Sequence, residues 1–255
     1  MCTVVLLRRP DHGWPLLIAA NRDEMADRPW LPPGRHWSDR QEVVAGLDVL
    51  AGGTWLGINE HGVVAAVLNR INSLGPAPGL RSRGELPLEA LDHAEADAAA
   101  AALSDLDPAA YRLFNMVVAD ATDAFWIRPR QGGNGSGDDA IEVSPIPPGL
   151  SMITAYDLND TESSRMHRYL PRFEAAAAPD PETGDWDEWR SLLSDRNHDA
   201  DAGPGGAMTV VTDTGFGTVS SSLIALPAPT RADVRARWLF APGRPGETTF
   251  SPILL

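Results

Sequence analysis

The sequence contains no lysine; all of its 21 basic residues are arginine. Schiff-base chemistry and a lysine nucleophile are therefore excluded. It has one cysteine, so it forms no internal disulfide, and no Cys/His spacing suits a structural zinc site. No apolar run reaches the ~18 residues of a membrane span, and no signal-type apolar region precedes a cleavage site. The expected setting is soluble and cytoplasmic, without membrane insertion. Positive charge is in deficit: 35 acidic residues give a net charge of -14, which argues against nucleic acid or anionic membranes as partners. No motif calls for a metal or a cofactor, and nothing sets the oligomeric state. At 255 residues the chain is long enough to bury a core without staples.

The lone cysteine is Cys2. Once the initiator methionine is removed, this residue carries both a thiol and a free α-amine. A free N-terminal amine can act as general base for an adjacent nucleophile. The amine's ordinary pKa is about 7.7–8.0 and the thiol's about 8.5, so both exchange protons near neutrality. Residues 3–9 and 14–20 are apolar runs separated by the turn formers Pro10, Asp11, His12 and Gly13. A hairpin with a four-residue loop pairs Arg9 with Trp14, so paired positions sum to 23. Cys2 then lies opposite Asn21, beside Arg22 and Asp23, and a slip of one or two residues still leaves it at this polar cluster. The plainer alternative is a strand end facing an ordinary Asn-Arg-Asp-Glu turn.

Further along, residues 25–37 read as an ordered loop holding Trp30 and Trp37, and 42–46 as a short strand. Residues 54–59 and 63–68 form a second hairpin whose pairs sum to 122. This sets Asn69 opposite Gly53, where the bare Gly52-Gly53 backbone admits close approach of a ligand. Residues 86–103 read as one alanine-rich helix. Residues 108–114 suggest a helical turn, 115–119 and 124–128 a strand pair, and the Gly-rich 131–139 a flexible hairpin tip. Strands are expected at 141–143, 150–154, 208–212, 217–226, 234–240 and 248–253, and helices at 162–177 and 186–193. With no linker or repeat, this order suits one α+β domain over 1–255, helices lying against antiparallel sheets.

Met1-Cys2-Thr3, Ala19 to Glu24 followed by Arg28-Pro29, Gly46-Leu47-Asp48, Gly52 to Gly57, Arg83 to Leu86, Phe114-Asn115 and Ala119-Asp120 together resemble the NRDE, or transport-and-Golgi-organisation, family. That family is similar to N-terminal nucleophile hydrolases of the choloylglycine hydrolase and penicillin V acylase type. The resemblance implies a four-layer αββα sandwich of two antiparallel sheets between helix layers. It implies Cys2 as nucleophile, Asp23 as the aspartate orienting the amine, and Asn69 as an oxyanion donor. Asn59 to Gly62 running on to Leu68-Asn69 carries the last of these. Arg22 joins them by lowering the thiol pKa or binding an anionic group, and Asn21, Gly53 and Trp55 are the candidate substrate contacts.

The sequence departs from the acylase pattern twice. Met152 or Ala155 stands where an asparagine is expected, and Val219 stands where relatives carry arginine. Loss of one oxyanion donor typically costs about 10²–10³ in turnover. Two functions follow: a cysteine hydrolase of a small-molecule amide, ester or lactone, or a non-catalytic binder of a hydrophobic molecule such as haem or an acyl compound.

Overall fold

In the computed structural model, residues 2–130 and 139–255 are described; the Gly-rich stretch read as a hairpin tip lies, apart from Asp139, outside them. The first strands in chain order are β1 (Thr3–Arg8), β2 (Leu16–Met25), β3 (Trp30–Gly34), β4 (Val43–Asp48), β5 (Leu56–Asn59) and β6 (Val64–Asn69). After helices α1 (Leu86–Leu91) and α2 (Ala96–Ser104) come β7 (Phe114–Ala119), β8 (Ala124–Arg130), β9 (Ala140–Pro145) and β10 (Gly149–Ile153). Helices α3 (Ser164–Ala175) and α4 (Asp187–Ser194) precede β11 (Phe216–Leu226), β12 (Arg237–Ala241) and β13 (Ser251–Pro252). They group into two compact units, one of residues up to Arg28 with Pro148–Leu255, the other Pro29–Pro147.

The first unit holds a six-stranded antiparallel sheet in the order β10-β1-β2-β11-β12-β13. The opening hairpin forms, but its register is one residue from the expected one. Thr3 pairs with Asn21 and Val4 with Ala20, so positions sum to 24 and Cys2 falls opposite Arg22. The loop is a residue longer because His12 Nδ1 accepts the Trp14 amide at 3.0 Å, while the Arg9 amide reaches past it to the Pro15 carbonyl. Asn21 to Glu24 is not a turn. β2 runs through it to Met25 because β11 pairs along its whole length, bulging between Thr218 and Ser220. The apolar run ends at Ala20, but buried Thr218, Ser220 and Ser221 give the polar continuation of β2 partners.

Val5, Leu17, Ala19, Leu223 and Ala225 of this sheet pack against Met166, Tyr169 and Phe173 of α3 and Trp189 and Leu193 of α4. Ser163 caps α3 by accepting the Met166 amide at 3.3 Å, which satisfies one of the helix's orphan donors. The strand expected at 208–212 does not form; only Val211 bridges, to Gly217. The Thr218 amide still donates to the Val210 carbonyl at 2.9 Å, and side chains supply further bonds there. Asn21 Nδ2 binds the Met208 carbonyl and Thr218 Oγ1 accepts the Val210 amide.

The second unit is a seven-stranded antiparallel meander, β3 to β9 in sequence order. The stretch read as a loop at 25–37 contributes β3 as its edge strand, which tolerates Pro32 and Pro33 because an edge leaves some backbone donors unneeded. The β5–β6 register is the expected one: Leu56 pairs with Ala66 and Ile58 with Val64, summing to 122. The single helix expected over 86–103 is broken into α1 and α2. Propensity favours one helix, yet tertiary bonds capture the break. Asn59 Nδ2 donates to the Leu91 and His93 carbonyls at 2.9 and 2.7 Å, and Asp120 Oδ2 accepts the Ala96 amide at 2.8 Å. Leu86, Leu91, Ala99 and Leu103 of these helices pack on Val43, Ala65, Met116 and Val118 of the sheet.

Candidate functional site around Cys2

The β1–β2 pairing holds Cys2 against the backbone of Asp23. The half-buried thiol donates to the Asp23 carbonyl, Sγ to O 3.6 Å, and accepts the Asp23 amide at 3.4 Å. Burial pushes the thiol pKa up and the Asp23 carboxylate adds to it; the Asp23 amide and Arg22 pull the other way. The net direction is upward, so the thiol is protonated at neutrality and needs a base before it can attack.

The Asp23 side chain is fully buried, and its carboxylate is held from two elements. Oδ1 accepts the Thr218 hydroxyl of β11 at 2.6 Å, and Oδ2 accepts Arg165 Nη2 of α3 at 3.1 Å. Arg165 is itself only 2% exposed. Its Nη1 donates to Thr3 Oγ1 at 2.6 Å and its Nη2 to the Gly205 carbonyl at 3.0 Å. Thr3 is the residue next to Cys2, so the guanidinium joins both strands of the opening hairpin.

Asn21 is buried and engaged as a staple. Its Nδ2 donates to the carbonyls of Leu193 and Met208 at 3.0 and 2.9 Å, and its Oδ1 accepts the Ser221 hydroxyl at 2.6 Å. These bonds tie β2 to α4 and β11. Arg22 is 6% exposed and sits 3.8 Å from Glu24 Oε2, which also lies 3.7 Å from Arg28 Nε. Glu24 thus braces an arginine pair at the end of β2.

The remaining candidates belong to the second unit. Asn69 ends β6, half-buried, paired with Phe114. Trp55 lies with its ring where a Cβ on Gly46 would stand, 2.3 Å from that position, and makes an edge contact with Trp30 at 5.8 Å. The bare backbone of Gly53 serves another stretch of backbone: a Cβ there would come within 2.4 Å of the Gly84 carbonyl, and the next amide, Thr54, donates to that oxygen at 2.7 Å. Gly53→Ala is therefore expected to destabilise the protein by about 1–3 kcal/mol through overpacking, read as a lowered denaturant midpoint with unchanged slope.

At the positions where the sequence departs from the acylase pattern, Met152 is buried among Val5, Leu17, Met166 and Tyr169, and Ala155 is buried too. An amide does lie near Met152: Asn159, with φ of 56°, accepts the Met152 amide on Oδ1 at 2.7 Å. Val219 occupies the β11 bulge between the Thr218–Asp23 and Ser220–Arg22 pairs. Sequence reasoning does not single out Arg165, Thr218 or Thr3. Arg165 does carry a signal: it shares the buried stripe of α3 with Met166, Tyr169 and Phe173, an odd place for a cation. Among the described residues, no group of His, Cys, Asp and Glu could hold a metal ion, and no helix is long and apolar enough to cross a membrane.

The profile of the Transport and Golgi organisation 2 family matches residues 1–227. The chain belongs to that family. Among curated Transport and Golgi organisation 2 proteins, the human homolog is 32% identical over 147 residues, 55% of this chain and 51% of its own length. The mouse homolog is 31% identical over 143 residues, again 55% and 51%. The chain thus spans about half the length of the curated relatives it matches.

Solved structures share the fold at low identity. The Caenorhabditis elegans ortholog of N-acylethanolamine-hydrolyzing acid amidase superposes with a TM-score of 0.59 at 14% identity, covering 91% of this chain and 96% of that one. A variant of the conjugated bile acid hydrolase from Clostridium perfringens gives 0.52 at 12%, covering 99% and 92%. Penicillin V acylase from Agrobacterium tumefaciens gives 0.50 at 14%, covering 99% and 84%. This member of the Transport and Golgi organisation 2 family therefore has the α+β fold of the N-terminal nucleophile hydrolases, as the sequence resemblance implied.

Proposed function

We propose that the protein is an N-terminal cysteine hydrolase that opens an amide, ester or lactone bond of a small molecule through a thioester. The observation that supports it most is the bond pair between Cys2 Sγ and the Asp23 backbone, above a buried carboxylate anchored by Thr218 and Arg165. The structures with this fold are named as an amidase, an acylase and a bile acid hydrolase, which favours the same reading.

In this reading, removal of Met1 frees the Cys2 α-amine, which takes the thiol proton. The thiolate adds to the carbonyl carbon and its electron pair moves to oxygen; the oxyanion then collapses, expelling the leaving group with the proton held by the ammonium. Water, deprotonated by the amine, cleaves the thioester and returns the thiol. Asp23 orients the ammonium and Arg22 favours the thiolate. Asn69 is the oxyanion donor that the family resemblance implies, and residues 1–255 act as one domain.

The test joins intact mass with a thiol-reactive amide or lactone probe. Loss of one methionine and a probe adduct on Cys2 are expected. Retained Met1 in cells would end the hydrolase reading, because the base would be tied up in a peptide bond. Asn69→Ala is expected to slow adduct formation by about 10²–10³, with the melting temperature little changed. A second reading, a non-catalytic binder of a hydrophobic small molecule, is favoured by the apolar Met152, Ala155 and Val219. An unlabelled Cys2 in the processed protein would select it.

A further inference from the structure

Buried arginines are costly, because a guanidinium gives up its hydration and cannot shed its proton. Arg165 accepts that cost at a defined place. It sits on the apolar stripe of α3, its Nη1 on Thr3 beside Cys2 and its Nη2 shared between Asp23 and the Gly205 carbonyl. The β11 partner of Asp23, Thr218, brings a hydroxyl and no charge. Without Arg165, the Asp23 carboxylate would face the thiol with its charge uncompensated from α3.

We propose that Arg165 is a positioning residue for the Cys2 centre, acting through Thr3 and Asp23 to fix the carboxylate and to supply the counter-charge that lets the thiol ionise. The proposal rests on the hydrolase reading for its purpose, although its effect on the thiol can be measured without turnover. Among the described residues, the charged groups that bear directly on the thiol are Asp23 and Arg22 of β2; Arg165 of α3 reaches it through its ion pair with Asp23. The neighbouring strand β10 carries no charged residue. The other arginines of α3 turn elsewhere, Arg168 to Asp199 and Arg172 to Asp195, and His167 of that helix is exposed.

The sign follows from charge. Asp23 raises the thiol pKa, so removing the cation that neutralises it raises the pKa further. The experiment is the pH profile of Cys2 alkylation by iodoacetamide in the full chain. Arg165→Gln is expected to move the midpoint up by about one pH unit, a tenfold lower thiolate fraction at a given pH below it. Arg165→Lys, which keeps the charge but loses the planar fork, is expected to restore the midpoint to within about 0.3 unit.

A purely architectural arginine predicts otherwise: no shift with Gln, or Gln and Lys shifting alike, and either result overturns the proposal. Should Arg165→Gln alone not fold, the wild type is compared with Asp23→Asn/Arg165→Gln, in which no lone charge is buried. A carboxylate neutralised by Arg165 predicts midpoints within about 0.3 unit of each other, and a midpoint lower by about one unit in the double variant, the mark of an Asp23 charge that reached the thiol uncompensated, overturns the proposal. Shifts as expected in a protein that no acyl probe labels would support the role of Arg165 while removing the hydrolase reading.

Discussion

Cys2→Ser is expected to cut acyl-adduct formation by about 10³ or more while leaving the fold intact. The reason is nucleophilicity: an α-amine of ordinary pKa matches a thiol, whose own pKa lies close by, far better than a hydroxyl. The Cys2 thiol starts from a raised pKa, so the step from thiol to thiolate is already the demanding one. A hydroxyl in the same place sets the base a much harder task. Stability should change little, because Cys2 is half-buried and, among the described residues, its sulfur makes two long bonds, both to the Asp23 backbone. Mass spectrometry of the adduct and a thermal melt on the same sample are the two measurements. Labelling that persists in Cys2→Ser at the wild-type rate would place the reaction elsewhere, and with it the mechanism would fall.

The parts of this centre differ in how readily the sequence disclosed them, and the difference is physical. The association of Cys2 with Asp23 was legible because two apolar runs around a turn bring chain ends together whatever the fine register. The register itself was not. Strand residues such as Val4, Val5, Leu17 and Ile18 are all buried, so both faces look alike and alternation cannot choose between a sum of 23 and 24. The choice fell to the imidazole of His12 accepting a loop amide, which periodicity does not encode. The second hairpin was legible to the residue because a short turn held by Asn59 Oδ1, which accepts the His61 and Val63 amides, leaves one register.

Long-range polar partners account for the rest. Asn21 to Glu24 looked like a turn because their strand partners lie nearly two hundred residues away on β11. The broken helix at 92–95 depends on Asn59 and Asp120, and the missing strand at 208–212 on Asn21 and Thr218. Arg165 meets Asp23 across 142 residues. The first is a backbone ladder and the others are side chains satisfying a distant backbone group or charge, and no local window contains both halves of such a bond.

The Asp23–Arg165 pair carries the largest expected stability effect. Both side chains are essentially solvent-free, so Asp23→Ala leaves a guanidinium buried beside an empty acceptor site, a loss of about 3–5 kcal/mol. For a chain of this size, each kcal/mol lowers the melting temperature by roughly 2–4 °C, which places the expected drop at about 6–20 °C. The Thr218 hydroxyl, 2.6 Å from Oδ1, loses its acceptor as well. The paired replacement Asp23→Leu/Arg165→Met removes both charges and fills the space with apolar groups, and buried ion pairs replaced in this way are often neutral or more stable. Its melting temperature should return close to that of the wild type, while Cys2 remains unlabelled by the acyl probe because no carboxylate is left to hold the α-ammonium. Stability recovered together with labelling would reduce Asp23 to a scaffold residue. Stability recovered without labelling separates its two tasks, of which the buried pair accounts for the fold and the carboxylate for the chemistry.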